Sequence, residues 1–151
     1  MKKRSRPLGR SVLGMDINLS TCFIAVDDHD KALAFYRDVL GLEVRNDVTF
    51  EDNRWLTLGS AGQPEVEIGL EIPGYYPHTS PEDRQATADL LAKGLLPGII
   101  FRTDDCDKIF ERVRAAGADV IQEPIDQPYG VRDCAFRDPA GNLLRFNQPK
   151  K

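Results

Sequence analysis

Glu67 and Glu71 stand two residues either side of Gly69 in the segment EVEIGLEI, residues 65–72. In an extended strand, side chains alternate between faces with period two. Glu67, Gly69 and Glu71 therefore share one face, and Val66, Ile68, Leu70 and Ile72 take the other. The second set is wholly apolar and is expected to pack on helices. The first faces open space, where chemistry can be done. The same parity puts Thr21, Phe23 and Ala25 of an early strand on such a face. It does so also for Gly98, Ile100 and Arg102 of a middle strand, and for Arg145 and Asn147 of the last. A glutamate beside apolar side chains can act as a general base, so Glu67 and Glu71 are the catalytic candidates. An arginine can hold a carboxylate or phenolate through charge-assisted, bidentate hydrogen bonds, which is the chemistry open to Arg145. Trp55, with Tyr75 and Tyr76, can supply aromatic walls or a lid. Thr21, Phe23, Trp55, Glu67, Glu71, Ile100, Arg102, Arg145 and Asn147 thus form the expected ligand-binding set. Two readings of it stand side by side. Its arginines and glutamates pair with one another, because unpaired buried charges are costly; or the set recognises a small ligand with an apolar body and polar groups.

The remaining reactive residue types say less. His29 and His78 fall in a turn and in a linker, where solvated surface is the expected setting. Cys22 alternates with Thr21 and should pack toward a helix. Cys106 lies in an acidic turn, where neighbouring charges would raise its pKa, and burial is the expectation for Cys134. Three cysteines are an odd number at no metal-like spacing, which favours reduced thiols in a cytoplasmic protein.

The elements that position these residues come in two copies. The stretch FIAVDDHDKALAFYRDVLGLEV, residues 23–44, recurs in degraded form as IIFRTDDCDKIFERVRAAGADV, residues 99–120. Asp27, Asp28, Asp30, Lys31 and Arg37 reappear at an offset of 77; Gly41, Glu43 and Val44 reappear at an offset of 76. Each copy reads as strand, helix, then three strands. In the first, a β-branched strand over 17–26 precedes a helix that Asp30 can cap. Leu33, Tyr36 and Leu40 form its apolar stripe, and Gly41 is its stop. Strands over 42–50, 54–58 and 65–72 follow. In the second, a strand over 98–103 precedes a helix over 107–116 stopped by Gly117. A strand over 118–122 and a hairpin of 131–137 with 142–148 complete it. The hairpin turn DPAGN wants Pro139 at φ near −65° and Gly141 at positive φ. Between the copies, Ser80, Pro81 and Asp83 open an extra helix over 82–93, closed by Gly94. The expected fold is α+β: two tandem βαβββ modules, residues 16–73 and 97–149, joined by a helical linker over 74–96. Together they form one domain, residues 16–149, in which a cupped mixed sheet carries its helices on the outer face.

Composition bounds the partners. Hydrophobic content of 41% and charged content of 29% suit a globular protein, and no apolar run is long enough to cross a membrane. The first fourteen residues hold five bases and no acid, so the formal charge of −4 divides into +5 there and −9 over the rest. Residues 1–15 read as a disordered basic tail rather than a nucleic-acid arm, because the acidic body would repel a phosphate backbone.

The quoted repeat, with RWLTL at 54–58 and FRDPAGNLLRFNQP at 136–149, resembles the vicinal oxygen chelate superfamily of glyoxalase I, bleomycin-resistance proteins and extradiol dioxygenases. The resemblance implies the paired-module fold over residues 16–149. It implies, for the family's enzymes, one divalent metal held by the first and last strands of each module. The matching positions here are Thr21, Gly69, Gly98 and Arg145, none of them a good ligand. The expectation is therefore no cofactor and no metal, although a pair of glutamates could hold a hard cation weakly. Family resemblance also implies a homodimer with its cups at or near the interface. Two function classes follow: a protein that binds or sequesters an anionic or phenolic small molecule, as the bleomycin-resistance branch does, or a lyase- or dioxygenase-type enzyme using a weak metal site or Glu67 and Glu71 as acid and base.

Overall fold

The computed structural model describes residues 12–74 and 76–150. Residues 1–11 of the expected basic tail over 1–15, and Tyr75, lie outside the described residues. Among the described residues, eight strands and three α-helices follow the order read from the repeat. β1 is Thr21–Ala25, α1 His29–Leu33, β2 Glu43–Phe50, β3 Asn53–Gly59, β4 Glu67–Glu71 and α2 Pro81–Ala92. β5 is Ile99–Arg102, α3 Cys106–Ala115, β6 Asp119–Asp126, β7 Val131–Arg137 and β8 Leu143–Pro149. Each module is a separate four-stranded mixed sheet, with orders β1-β4-β3-β2 and β5-β8-β7-β6. β1 runs parallel to β4, and β5 runs parallel to β8.

The aspartate pair starts each helix in the same way. Asp28 Oδ1 accepts from the amides of Asp30 and Lys31, and Asp105 Oδ1 accepts from that of Lys108. The cap of α1 is thus Asp28, not Asp30; a capping residue must be extended so that its carboxylate can turn back on the first turn, and Asp28 has φ −149° and ψ 117°. Asp30 instead pairs with Arg54 at 3.0 Å. Beyond α1 the chain widens into π-helical turns over Ala34–Val39, where the Leu40 amide reaches the Phe35 carbonyl five residues back. α3 has no such stretch. The extra residue in the first copy is therefore stored as a π-bulge, which is why the repeat offset falls from 77 to 76 between Arg37 and Gly41. The wider turn puts Phe35 and Tyr36 together in the core, rings edge to face at 5.0 Å.

β1 is shorter than expected. Its partner β4 begins at Glu67, opposite Thr21, so Ile17 and Leu19 have no strand beside them and stay exposed. Cys22, near the start of this edge strand and opposite Ile68, is exposed rather than packed. Ile72 lies past the other end of β4 and is likewise exposed. Elsewhere the parity is as expected: Ile24, Leu56, Leu58 and Leu70 in one module, with Phe136, Leu144 and Phe146 in the other, are buried.

These residues share a single core with Tyr36, Phe110 and Val113. The helix-bearing faces of the two sheets are thus turned toward each other, and three hydrogen bonds tie them. Tyr36 donates to Asp138, Asn142 Nδ2 donates to the Ala25 carbonyl at 2.7 Å, and Arg112 Nε donates to the Val39 carbonyl at 2.6 Å. Asp138 is the hub. Its Oδ1 also accepts from the amides of Ala140, Gly141 and Asn142, which closes the DPAGN turn with Gly141 at φ +112°. The consequence differs from an enclosed cup within one chain. The bare sheet faces point outward, with Phe23 at 42% and Ile100 at 65% exposure.

Candidate functional site

The two bare faces are built on one register. Across the first, Phe23 lies opposite Gly69, Gly69 opposite Thr57 and Thr57 opposite Asn46. Across the second, the matching row is Ile100, Arg145, Ala135 and Gln122. Gly69 thus matches Arg145, and Trp55, two residues before Thr57, matches Asp133. One face is aromatic where the other is ionic.

On the first face, Gly69 is required by a neighbour. A Cβ there would collide with the Phe23 ring, which lies over the glycine and meets Trp55 edge-on at 5.6 Å between centroids. Beside this aromatic pair, the Glu67 carboxylate accepts from Thr21 Oγ1 at 3.3 Å, Asn46 Nδ2 at 3.3 Å and Thr57 Oγ1 at 3.2 Å. Three neutral donors occupy it. The β-bulge between Val44 and Asn46 brings the asparagine onto this face.

On the second face, the Asp133 carboxylate is almost wholly buried, with 2% of its side chain exposed. Its Oδ1 accepts from Gln122 Nε2 at 2.7 Å and Gln127 Nε2 at 2.9 Å; its Oδ2 accepts from Arg145 Nη1 at 3.2 Å. Burial opposes its ionisation, but donors from Gln127 and Gln122 and the charge of Arg145 outweigh burial and hold its carboxyl below the usual range. Arg145 Nη1 also donates to Gln122 Oε1 at 2.9 Å, closing a triangle of three side chains. The partner of Arg145 is therefore Asp133, not Glu67 or Glu71, because the two glutamates lie on the other sheet.

Glu71 does not join Glu67. It lies at the end of β4 and lines a recess of about 250 Å³ with His29, Asp52, Arg54 and Arg84, and burial raises its pKa. His29 is not simply solvated; its Nε2 donates to the Leu70 carbonyl at 3.0 Å. Asn147 lies opposite Asp133, and Arg102 lies opposite Asn147 at the exposed rim. Tyr76 is exposed. The expected set is thus divided: Thr21, Phe23, Trp55 and Glu67 on the first face, Ile100, Arg102, Arg145 and Asn147 on the second, Glu71 in the recess. Asp133 was legible by alternation, since Cys134 and Phe136, of the opposite parity, are core. Asn46 and Gln122 were not, because a bulge before each reverses its parity relative to Val44 and Val120.

The four positions that would hold a divalent metal do not fit one. Gly69 lies under an aromatic ring, Gly98 has no side chain, and Arg145 puts a cation where an anionic donor is needed. Among the described residues, no group of three or more His, Cys, Asp or Glu side chains could hold an ion.

A sequence profile described as Glyoxalase/Bleomycin resistance protein/Dioxygenase superfamily matches residues 18–146. The chain belongs to this superfamily. Among its relatives, YurT of Bacillus subtilis strain 168 is 31% identical over 125 residues, covering 83% of this chain and 94% of YurT. Among solved structures, UcmS2 superposes with a TM-score of 0.80 at 40% identity, covering 88% of this chain and 98% of that one. TnmS3, described as an antibiotic binding protein from Streptomyces sp. CB03234, superposes with a TM-score of 0.69 at 27% identity, covering 89% and 98%. Family membership brings enzymes and binding proteins alike, so the function rests on the faces themselves. No helix among the described residues is long and apolar enough to cross a membrane.

Proposed function

We propose that this member of the superfamily captures a small molecule with an aromatic body and an anionic or phenolic group, without a metal and without transforming it. The observation that carries the reading is the composition of the bare faces. Each leaves apolar side chains in water: Phe23 and Val48 on one, Ile100 and Ile125 on the other. Each also holds a prearranged polar group, Glu67 on the first and Arg145 on the second. Rigid aromatic walls with a few fixed polar groups are what small-ligand sites use. The description of TnmS3 as antibiotic binding points the same way.

Exposed apolar faces on both sheets call for a second copy. A two-fold homodimer can set the aromatic face of one chain against the ionic face of its partner, giving two cups. Light scattering should give twice the 16.9 kDa chain mass at micromolar concentration, and Phe50→Glu, on an exposed cup-side residue, should lower it. A monomer mass for the native chain would defeat the assembly. We place the protein in the cytoplasm, with no nucleic-acid partner.

A thermal-shift screen of aromatic acids, phenols and antibiotics tests the ligand class, since a compound that binds only the folded state raises Tm. Calorimetric titration of the best hit should show Arg145→Met weakening binding by about 1.5–3 kcal/mol. Equal affinities would remove Arg145 from the site. One observation favours a second reading: the raised pKa of Glu71 suits a general base, as in a lyase-type enzyme acting in the recess with His29. Mass spectrometry of the recovered ligand separates the two, because an enzyme returns an altered molecule.

A further inference from the structure

The guanidinium of Arg145 is gripped in an unusual way for this protein. Arg54 uses its Nε and Nη2 atoms as a two-pronged edge on Asp47, at 2.8 and 2.9 Å. Arg132 uses the same edge on Asp107, at 2.9 Å for both bonds, and Arg114 uses it on Glu111. Arg145 is held from the other side. Asp133 Oδ2 and Gln122 Oε1 both take Nη1, and among the described residues the Nε and Nη2 atoms have no protein partner. A carboxylate that only neutralised Arg145 would gain most by taking the two-pronged edge, as Asp47 and Asp107 do.

Asp133 is itself immobilised from several directions. Gln122 Nε2 donates to its Oδ1 and to its backbone carbonyl, at 2.7 and 3.2 Å, Gln127 Nε2 donates to Oδ1, and the Tyr129 hydroxyl reaches Oδ2 at 3.5 Å. The side chain of Arg145 is 27% exposed while that of Asp133 is 2% exposed, so the pair presents the arginine and hides the acid.

We propose that Asp133 and Gln122 are positioning residues that hold Arg145 by Nη1 and so present its Nε–Nη2 edge to a ligand group with two oxygens, of the carboxylate type. This rests on the reading of the bare faces as a ligand-binding cup, and narrows the ligand's polar group within it. The edge matches two acceptors side by side; a lone hydroxyl can use only one prong.

The test uses 2-naphthoate as the two-oxygen probe and 2-naphthol as the one-oxygen control, titrated calorimetrically into the full chain. Naphthoate should bind more tightly than naphthol, and Arg145→Met should abolish the difference. Asp133→Asn should weaken naphthoate roughly three- to tenfold, the scale of one hydrogen bond, and leave naphthol nearly unchanged. In the Arg145→Met background, Asp133→Asn should have no further effect, because a positioning residue acts only through the residue it positions. Gln122→Met, which removes the other Nη1 partner, should reproduce the result and serves if Asp133→Asn fails to fold. If Asp133→Asn tightens naphthoate, the acid is only a repelling charge and the inference is wrong. If it weakens both probes equally, its role is structural and the inference is again wrong. If Arg145→Met matters while Asp133→Asn and Gln122→Met do not, the cup stands and the positioning falls. No naphthoate binding, or binding indifferent to Arg145→Met, overturns the cup and the positioning together.

Discussion

The hydroxyl of Tyr36 donates to Asp138 Oδ2 at 2.6 Å, across 102 residues of sequence and between the two modules. The π-helical turn delivers the tyrosine and the DPAGN turn delivers the aspartate. Burial, and then the negative charge of Asp138, push the phenol far above its ordinary pKa, so the group remains a donor throughout the working pH range. Tyr36→Phe should cost about 1.5–3 kcal/mol, the worth of a hydrogen bond to a charged group. Urea unfolding monitored by circular dichroism checks it; a change below about 0.5 kcal/mol would mean that the modules are held by apolar packing alone.

Gly69→Ala should disturb the aromatic face more than the fold. The added methyl group meets the Phe23 ring, which is part-exposed and can swing away. Trp55 is the sole tryptophan, so its emission reads the loss of the edge contact directly. A shifted emission maximum with a nearly unchanged Tm is the expected result. An unaltered spectrum would show that the two rings are not coupled in solution.

Asp133 should mark the acid limb of stability. Its folded pKa lies below the unfolded value of about 3.9, so the unfolded chain takes up the proton first. The stabilisation is complete above that value and is lost as pH falls through the lower, folded one. Asp133→Asn should therefore be less stable than the native chain at pH 7, and the gap should narrow below about pH 4. A gap independent of pH would assign the loss to packing rather than charge.

The thiols should divide one to two. Cys22 is exposed, whereas Cys106 and Cys134 are fully buried and lie against each other, with pKa values raised chiefly by burial. The thiolate is the reactive form, so Ellman's reagent should consume one equivalent rapidly in the native state and all three in denaturant. Two or three rapid equivalents would indicate ready opening of the α3–β7 contact.

The repeat of Asp27, Asp28, Asp30 and Lys31 at a constant offset, with glycine stops and a DPAGN turn, determined the two βαβββ modules from sequence alone, because caps, stops and turns are local chemistry. Period-two alternation likewise separated Ile24 and Leu70 from Phe23 and Gly69, since a strand sorts its side chains by parity whatever it packs against. Only the tertiary structure decided which faces of the two sheets meet. Either pairing satisfies the alternation; the choice depends on long-range contacts such as Tyr36 with Asp138 and Asn142 with Ala25. For the same reason, the partner of Arg145 could not be read from the order of residues. Glu67 and Glu71 match it in charge, but pairing is set by which strand lies alongside, and β7 lies beside β8 with Asp133 within reach.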